Sequence, residues 1–204
     1  MKKENKTPKV EFKLKGKVIF FATNNIHKFN EARKVLLDQG LATGMLRVKA
    51  VEIQSDNLSE IASASAVDAF KRCHLPVIVE DAGLFVEALN GFPGPYSAYV
   101  YKTLGNAGLL KLMENVKNRK AKFQSAIAYC DNLSNPPVCF EAESIGEMTL
   151  KERCGNLKPS FGFDPVFQPL ESLKTFAEMT IEEKNGFSHR AVAVRKFAEW
   201  YRKI

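Results

Sequence analysis

Two adjacent carboxylates, Glu80 and Asp81, close the apolar run PVIVED, and what an acid can do there depends on its neighbours. In open α/β sheets ligands sit beyond the carboxyl ends of strands. Successive strand residues point to opposite faces, so no more than one of the two enters a shared cleft. The turn TNNIHK, Thr23 to Lys28, lies between an apolar run and a helical pattern, where backbone N–H groups and the helix dipole attract an anion. Thr23 and Asn25 add side-chain hydrogen bonds, and Lys28, one turn into the helix, adds a point charge suited to a phosphate oxygen. An ordinary capped helix explains the same six residues, which carry neither Walker-A spacing nor G-x-G-x-x-G. A carboxylate beside a bound phosphate needs a cation between them, and Mg²⁺ is the implied ion. Glu52, after the second expected strand, is the candidate second ligand because equivalent strand ends lie side by side. A solvated loop carboxylate is the alternative for it.

Three later stretches add binding groups. SFGFDP places Phe161 and Phe163 around Gly162 and before Asp164 in a loop, where exposed rings suit base stacking. EEKNGFSHR gathers Lys184, Ser188, His189 and Arg190 at the start of the last helix. GFPGPYSAY, with two Gly and two Pro in nine residues, holds a loop in one shape, either to position a ligand or as a structural corner.

The elements that must position these groups read as an α/β pattern. KVIFFAT, Lys17 to Thr23, is a buried, parallel-type strand, and His27 to Gln39 is a helix with Phe29, Ala32, Val35 and Leu36 on one face and Gly40 as its stop. A strand near Met45 to Val51, a helix from Leu58 to Cys73 and the strand PVIVED follow. A helix around Gly105 to Val116 precedes AKFQSAIAYCD and PVCFEAESIGEMTL, an antiparallel hairpin across NLSNPP. Residues 155 to 169 read as a loop and Ser188 to Lys203 as a final helix with Ala191, Val194, Ala198 and Tyr201 inward. The expected fold is a mixed sheet with helices, two lobes around a central cleft, in one domain over 17–204 behind a flexible basic tail, 1–16.

Composition narrows the function. The 204 residues are 45% hydrophobic, enough for a real core. No stretch approaches the roughly 18 apolar residues of a membrane span, and the N-terminus lacks a signal-type apolar stretch, so the expected setting is cytoplasmic with no membrane partner. Four cysteines and three histidines are scattered without zinc-site spacing. The formal charge is +7, but residues 1 to 17 hold seven Lys and two Glu, leaving 23 basic against 21 acidic side chains elsewhere. The surplus belongs to the tail, which argues against a specific nucleic-acid binder.

In their order, ATNNIHKFNE, VEDAGLFVEALNGFPGPYSAY, SFGFDPVFQP and AEMTIEEKNGFSHR resemble the inosine/xanthosine triphosphate pyrophosphatase family, most closely its archaeal members, over nearly the whole chain from Lys17. The resemblance implies Mg²⁺-dependent hydrolysis of ITP, dITP and XTP to the monophosphate and pyrophosphate by a two-lobed α/β homodimer. It implies that Thr23, Asn24, Asn25 and Lys28 bind the triphosphate and that Glu52 and Asp81 hold the metal. Asp81 would also accept the proton of the attacking water, and Phe161, Gly162, Phe163, Asp164, Lys184, His189 and Arg190 would form the base pocket. Hypoxanthine and xanthine present an O6 acceptor and an N1–H donor. Arg190 and Lys184 can only donate and ionised Asp164 can only accept, so adenine would leave buried groups unpaired, a mismatch of roughly 10⁴-fold. Three positions depart from the family pattern. Ala82 replaces a common Ser or Thr, so its substrate contact must come from backbone N–H; Ser65 stands near the place where many members carry a helical Lys that reaches phosphate; Asn24 replaces a common Gly. A nucleotide-binding protein of the same fold with reduced or lost catalysis is the competing expectation.

Overall fold

The computed structural model describes residues 18–155 and 161–204, so the expected tail 1–16 lies outside the described residues. The chain opens as read, with β1 (Val18–Ala22), a turn, and α1 (Ile26–Asp38), which ends at Gln39 before Gly40 at φ +75°. Then follow β2 (Ala42–Leu46), α2 (Leu58–Cys73), β3 (Val77–Val86), β4 (Pro93–Gly94), α3 (Ser97–Thr103) and α4 (Gly105–Leu112). The second half holds β5 (Lys120–Cys130), β6 (Val138–Met148), β7 (Phe167–Pro169), α5 (Ile181–Phe187) and α6 (His189–Tyr201). The strands form one seven-stranded mixed sheet in the order β2-β1-β3-β5-β6-β7, with β4 paired to β3. The β1 pairings with β2 and β3 are parallel and the other pairings antiparallel.

Three apolar clusters make the core. One face of the sheet (Ile19, Phe21, Ile78, Ile127) packs on α1 and α6 through Val35, Leu36, Val194 and Phe197. The other face (Val77, Val79, Ala126, Ala128) packs on α2, whose buried Ala62, Ala66 and Ala69 let the helix lie close to the strands. A third cluster, with Leu84, Phe123, Phe163, Phe167 and Phe176, forms the second lobe. Among the described residues no helix is long and apolar enough to cross a membrane.

The structure corrects the placement of Glu80 and Asp81. They lie inside β3 rather than at its end, because β5 pairs with every residue from Val77 to Val86 and carries the strand onward. What ends there is the neighbour: β1 pairs with β3 only as far as Ile78, and β4 takes up the same edge only at Leu84. Val79 to Gly83 therefore face a gap in the ladder. The second strand also stops at Leu46, since β2 matches β1 residue for residue and has no partner beyond Ala22. The helix expected over 105–116 is α4, which ends earlier, at Leu112; a further short helix, α3, precedes it, and Gly105 at φ +65° turns the chain between the two. The expected loop 155–169 contains β7 and a short 3₁₀ turn at Asp164–Val166; residues 156–160 are outside the described ones.

Candidate active site

Alternation along β3 separates the two acids. Glu80 shares the face of Ile78, toward α1 and α6, while Asp81 shares the face of Val79, toward α2. The first helix starts beside the gap. Asn25 caps α1, its side chain accepting from the backbone N–H of His27 at 3.0 Å and Lys28 at 3.2 Å, and Thr23 Oγ1 accepts from Asn25 N–H at 3.1 Å. Two of the N–H groups expected to face an anion are thus occupied by the cap itself. Asn24 is exposed, its amide directed to the Val48 carbonyl at 3.4 Å. Lys28 Nζ reaches Glu80, 2.8 Å from Oε2 and 3.3 Å from its carbonyl oxygen.

From Glu80 a line of alternating charges runs into the other lobe. Glu80 Oε1 accepts from Arg190 Nε at 3.0 Å and from Ser125 Oγ at 2.8 Å. Arg190 Nη1 donates to Glu31 Oε2 at 2.5 Å, and Lys184 Nζ lies between Glu31 Oε1 at 2.7 Å and Asp164 Oδ2 at 2.6 Å. Three cations and three carboxylates so neutralise one another, all buried except the half-buried Lys28 at one end, and pairing is the condition under which buried charge is tolerable. Burial pushes the Glu31 carboxyl up, but Lys184 and Arg190 outweigh it and bring it down to about 2. Burial likewise opposes ionisation of Glu80, and Arg190 with Lys28 hold it below the usual carboxylate range. Asp164 is pushed upward by burial and by Glu31, against the pull of Lys184.

Asp81 stands apart. Its Oδ2 is buried and has no hydrogen-bond partner, although the Ala82 N–H donates to the carboxylate. Burial raises its pKa to about 6, Lys28 pulls it down, and the negative charges of Glu80 and Glu52 push it up again. Glu52 is therefore within electrostatic reach even though it is exposed and lies six residues past β2. Two carboxylates, one with an unpartnered oxygen, suit a hard divalent cation whose remaining ligands come from phosphate and water. Among the described residues no cluster of three or more metal-binding side chains exists.

The remaining expected residues divide. Phe161 lies at the site: it stacks on His27 at 5.1 Å between ring centres, and Lys184 Nζ is 5.9 Å from its ring. Phe163 does not. Gly162, at φ +55°, reverses the chain, and Phe163 turns into the second-lobe core, 3% exposed and edge-on to Tyr101. Of the two rings expected to be exposed, Phe163 is buried because the second lobe has an apolar interior to fill, and Phe161 is half-buried against His27. His189 is buried, stacked nearly parallel on Phe123 at 4.8 Å, with Nδ1 unpartnered. Burial and the adjacent Arg190 hold it far below the usual histidine range, so it is neutral. Glu31 and Ser125 belong to the site but were assigned no role in the sequence. A signal for Glu31 existed: it falls three residues after Lys28, a charged residue in a helix whose buried side is otherwise apolar. A cavity of about 580 Å³ between the start of α2, β5, β6 and α6, lined by Asp56, Phe85, Gln124, Ser125, Glu141 and Lys196, reaches Ser125 but contains none of the six linked charges. The linked charges and the unpartnered Asp81 oxygen at the ladder gap are the better candidate.

The Ham1 family profile matches residues 19–200. The chain belongs to the Ham1 family. Archaeal relatives include the dITP/XTP pyrophosphatase of Methanopyrus kandleri, 47% identical over 184 residues, covering 90% of this chain and 96% of that one. The dITP/XTP pyrophosphatase of Thermococcus kodakarensis is 47% identical over 180 residues, 88% of this chain and 95% of its own. Among solved structures, a HAM1 protein from Coxiella burnetii superposes with a TM-score of 0.78 at 28% identity, over 92% of this chain and 100% of that one. The Staphylococcus aureus Ham1 protein gives 0.76 at 28% identity, over 92% and 99%. The Ham1 fold therefore extends from β1 through α6.

Proposed function

We propose that this protein is a nucleoside-triphosphate pyrophosphatase that hydrolyses dITP, ITP and XTP between the α and β phosphates, releasing pyrophosphate and the monophosphate. The observation that carries the reading is the buried, unpartnered oxygen of Asp81 at the ladder gap, within electrostatic reach of Lys28. A basic carboxylate in that position orients a water and takes its proton. Lys28 exchanges Glu80 for a phosphate oxygen, and Thr23, Asn24 and Asn25 shape the turn beside it. Glu52 and Asp81 hold Mg²⁺, which neutralises charge on the phosphates when bound.

At the base end, Arg190 and Lys184 present donors that Glu31, Glu80 and Asp164 occupy in this structure. A 6-oxo purine offers an acceptor to those donors, whereas the amino group of adenine offers only hydrogens. Discrimination of about 10⁴-fold is in reach of such a pocket. Phe161 gives up His27 to stack on the base, Gly162 permits that turn, and Ala82 contributes main chain alone. Phe163 and neutral His189 back the pocket from the second lobe.

We further place the protein in the cytoplasm as a homodimer, with 1–16 a basic tail and 17–204 one catalytic domain. The exposed apolar side chains Phe92, Tyr96, Tyr99 and Leu104, crowded around β4, α3 and the start of α4, favour self-association. Sedimentation of the protein and of Tyr99→Glu tests the dimer: a monomer in both removes it.

The function is tested by assaying pyrophosphate release from dITP, ITP, XTP, ATP and GTP with Mg²⁺. Turnover of the first three well above ATP and GTP is expected. Equal turnover of all five, or none, refutes the reading.

A further inference from the structure

Residues 47 to 57, between β2 and α2, include a single helix cap but no strand or helix, and Val51 through Gln54 are exposed. Glu52 nevertheless has to stand at a set distance from Asp81 if the two are to share an ion. Two side chains of α2 supply what the missing strand does not. Ser65 Oγ donates to the Val51 carbonyl oxygen at 3.0 Å, and Asp68 Oδ2 accepts from the Val51 N–H at 3.0 Å. Both polar groups of one peptide residue are thus held by side chains one turn apart on a helix that is itself packed on the sheet. Asp68 is aimed by Arg72, whose Nε donates to Oδ2 at 2.7 Å and whose Nη2 donates to Oδ1 at 3.3 Å. The Ser65 side chain is buried, and its only proton is committed to Val51.

We propose that Ser65 and Asp68 are positioning residues that clamp the Val51 main chain and thereby set the Glu52 carboxylate beside Asp81. This rests on the assignment of Glu52 and Asp81 as metal ligands and gives Ser65 a task other than touching phosphate. Residues that orient a metal ligand typically govern affinity by 10-fold or more when removed. Clamp loss therefore acts on the metal requirement before it acts on the chemistry.

The test measures Mn²⁺ affinity, from the electron paramagnetic resonance signal of free Mn²⁺, for the full chain with the non-hydrolysable α,β-methylene analogue of dITP. Ser65→Ala and Asp68→Ala are each expected to weaken Mn²⁺ binding about 10-fold and to raise the Mg²⁺ concentration for half-maximal turnover, with kcat at saturating Mg²⁺ nearly unchanged. Ser65→Thr and Asp68→Asn, which keep the needed donor and acceptor, restore most of the affinity. Amide hydrogen exchange at Val51 to Ile53 is expected to accelerate in the two alanine variants, independently of any metal. Unchanged exchange, or faster exchange with unchanged Mn²⁺ affinity, overturns the clamp. Glu52→Gln separates the two levels: if it weakens Mn²⁺ and the alanine variants do not, the clamp alone fails. If Glu52→Gln leaves Mn²⁺ affinity unchanged, the metal assignment fails and the positioning role falls with it.

Discussion

Glu80 and Asp81 are neighbours on one strand, both carboxylates and both withdrawn from water, yet the two faces of β3 treat them differently. On the α1 and α6 side, Glu80 meets Lys28, Arg190 and Ser125 and is held ionised by them. On the α2 side, Asp81 feels the charge of Lys28 against those of Glu80 and Glu52, keeps an oxygen without a partner, and sits at a pKa of about 6. A satisfied buried charge stiffens a structure, whereas an unsatisfied one has interaction energy left for a ligand. The difference teaches that burial alone does not mark the reacting group. On the proposed function, what marks it is the carboxylate oxygen the fold leaves without a hydrogen bond or cation at the gap between β1 and β4.

Asp81→Asn gives the largest expected effect: turnover of dITP falls by about 10³-fold or more, since the general base is gone, while binding of the α,β-methylene analogue changes little. Pyrophosphate release and calorimetric titration check the pair of outcomes. Near-normal turnover would move the base elsewhere and dissolve the contrast between the two acids.

Glu80→Gln is expected to act on stability instead. Removing one partner from a buried charge network costs about 3–5 kcal/mol, because Arg190 and Lys28 lose their counter-charge. Urea unfolding measures it. A loss under about 1 kcal/mol would place Glu80 among ordinary surface pairs.

The acid limb of stability sharpens the same comparison. The Glu31 pKa is lowered from 4.5 to about 2 on folding, so its stabilisation is complete above pH 4.5 and disappears as pH falls through 2. Glu31→Gln should flatten stability across that window, as followed by circular dichroism melts from pH 5 to 2. An unchanged slope means that Glu31 does not carry it.

Asp81 has the opposite sign and the smallest effect. Its pKa rises on folding from 3.8 to about 6, so the protonated form is favoured by the fold, and that contribution is present below 3.8 and lost as pH rises through 6. Without added divalent ions, Asp81→Asn should therefore be more stable than the parent at pH 8 by about 1–2 kcal/mol and little different near pH 4. Equal melting temperatures at both pH values would count against the unpartnered oxygen.

Much of this fold is legible along the chain. Leu58 to Cys73 reads as a helix and is one, since its small buried residues recur at helical spacing and Asn57 caps it. The hairpin is announced by two long β-rich runs around NLSNPP, and Gly40 does end α1. Helix α5 was missed although Thr180 and Glu183 form a capping box, because seven residues give too little periodicity to see. The extent of β3 was missed for another reason: its later half is held by β5, more than 30 residues downstream. Phe163 reads like Phe161 in the sequence, and only the shape of the second lobe separates them.

By itself the sequence determined which chemistry is available: the capped turn Thr23–Lys28, the acids Glu52 and Asp81, and the donors Lys184 and Arg190 with their acceptor Asp164. Those are properties of side-chain type and of neighbours within a helical turn or a strand period. Tertiary structure decided which charges cancel and which stay available. Glu31 meets Arg190 across 159 residues and Glu80 meets it across 110, and no local spacing encodes such meetings. They arise when α1 and α6 pack on one face of the sheet, and Asp81, turned to the other face, is left without a cation of its own.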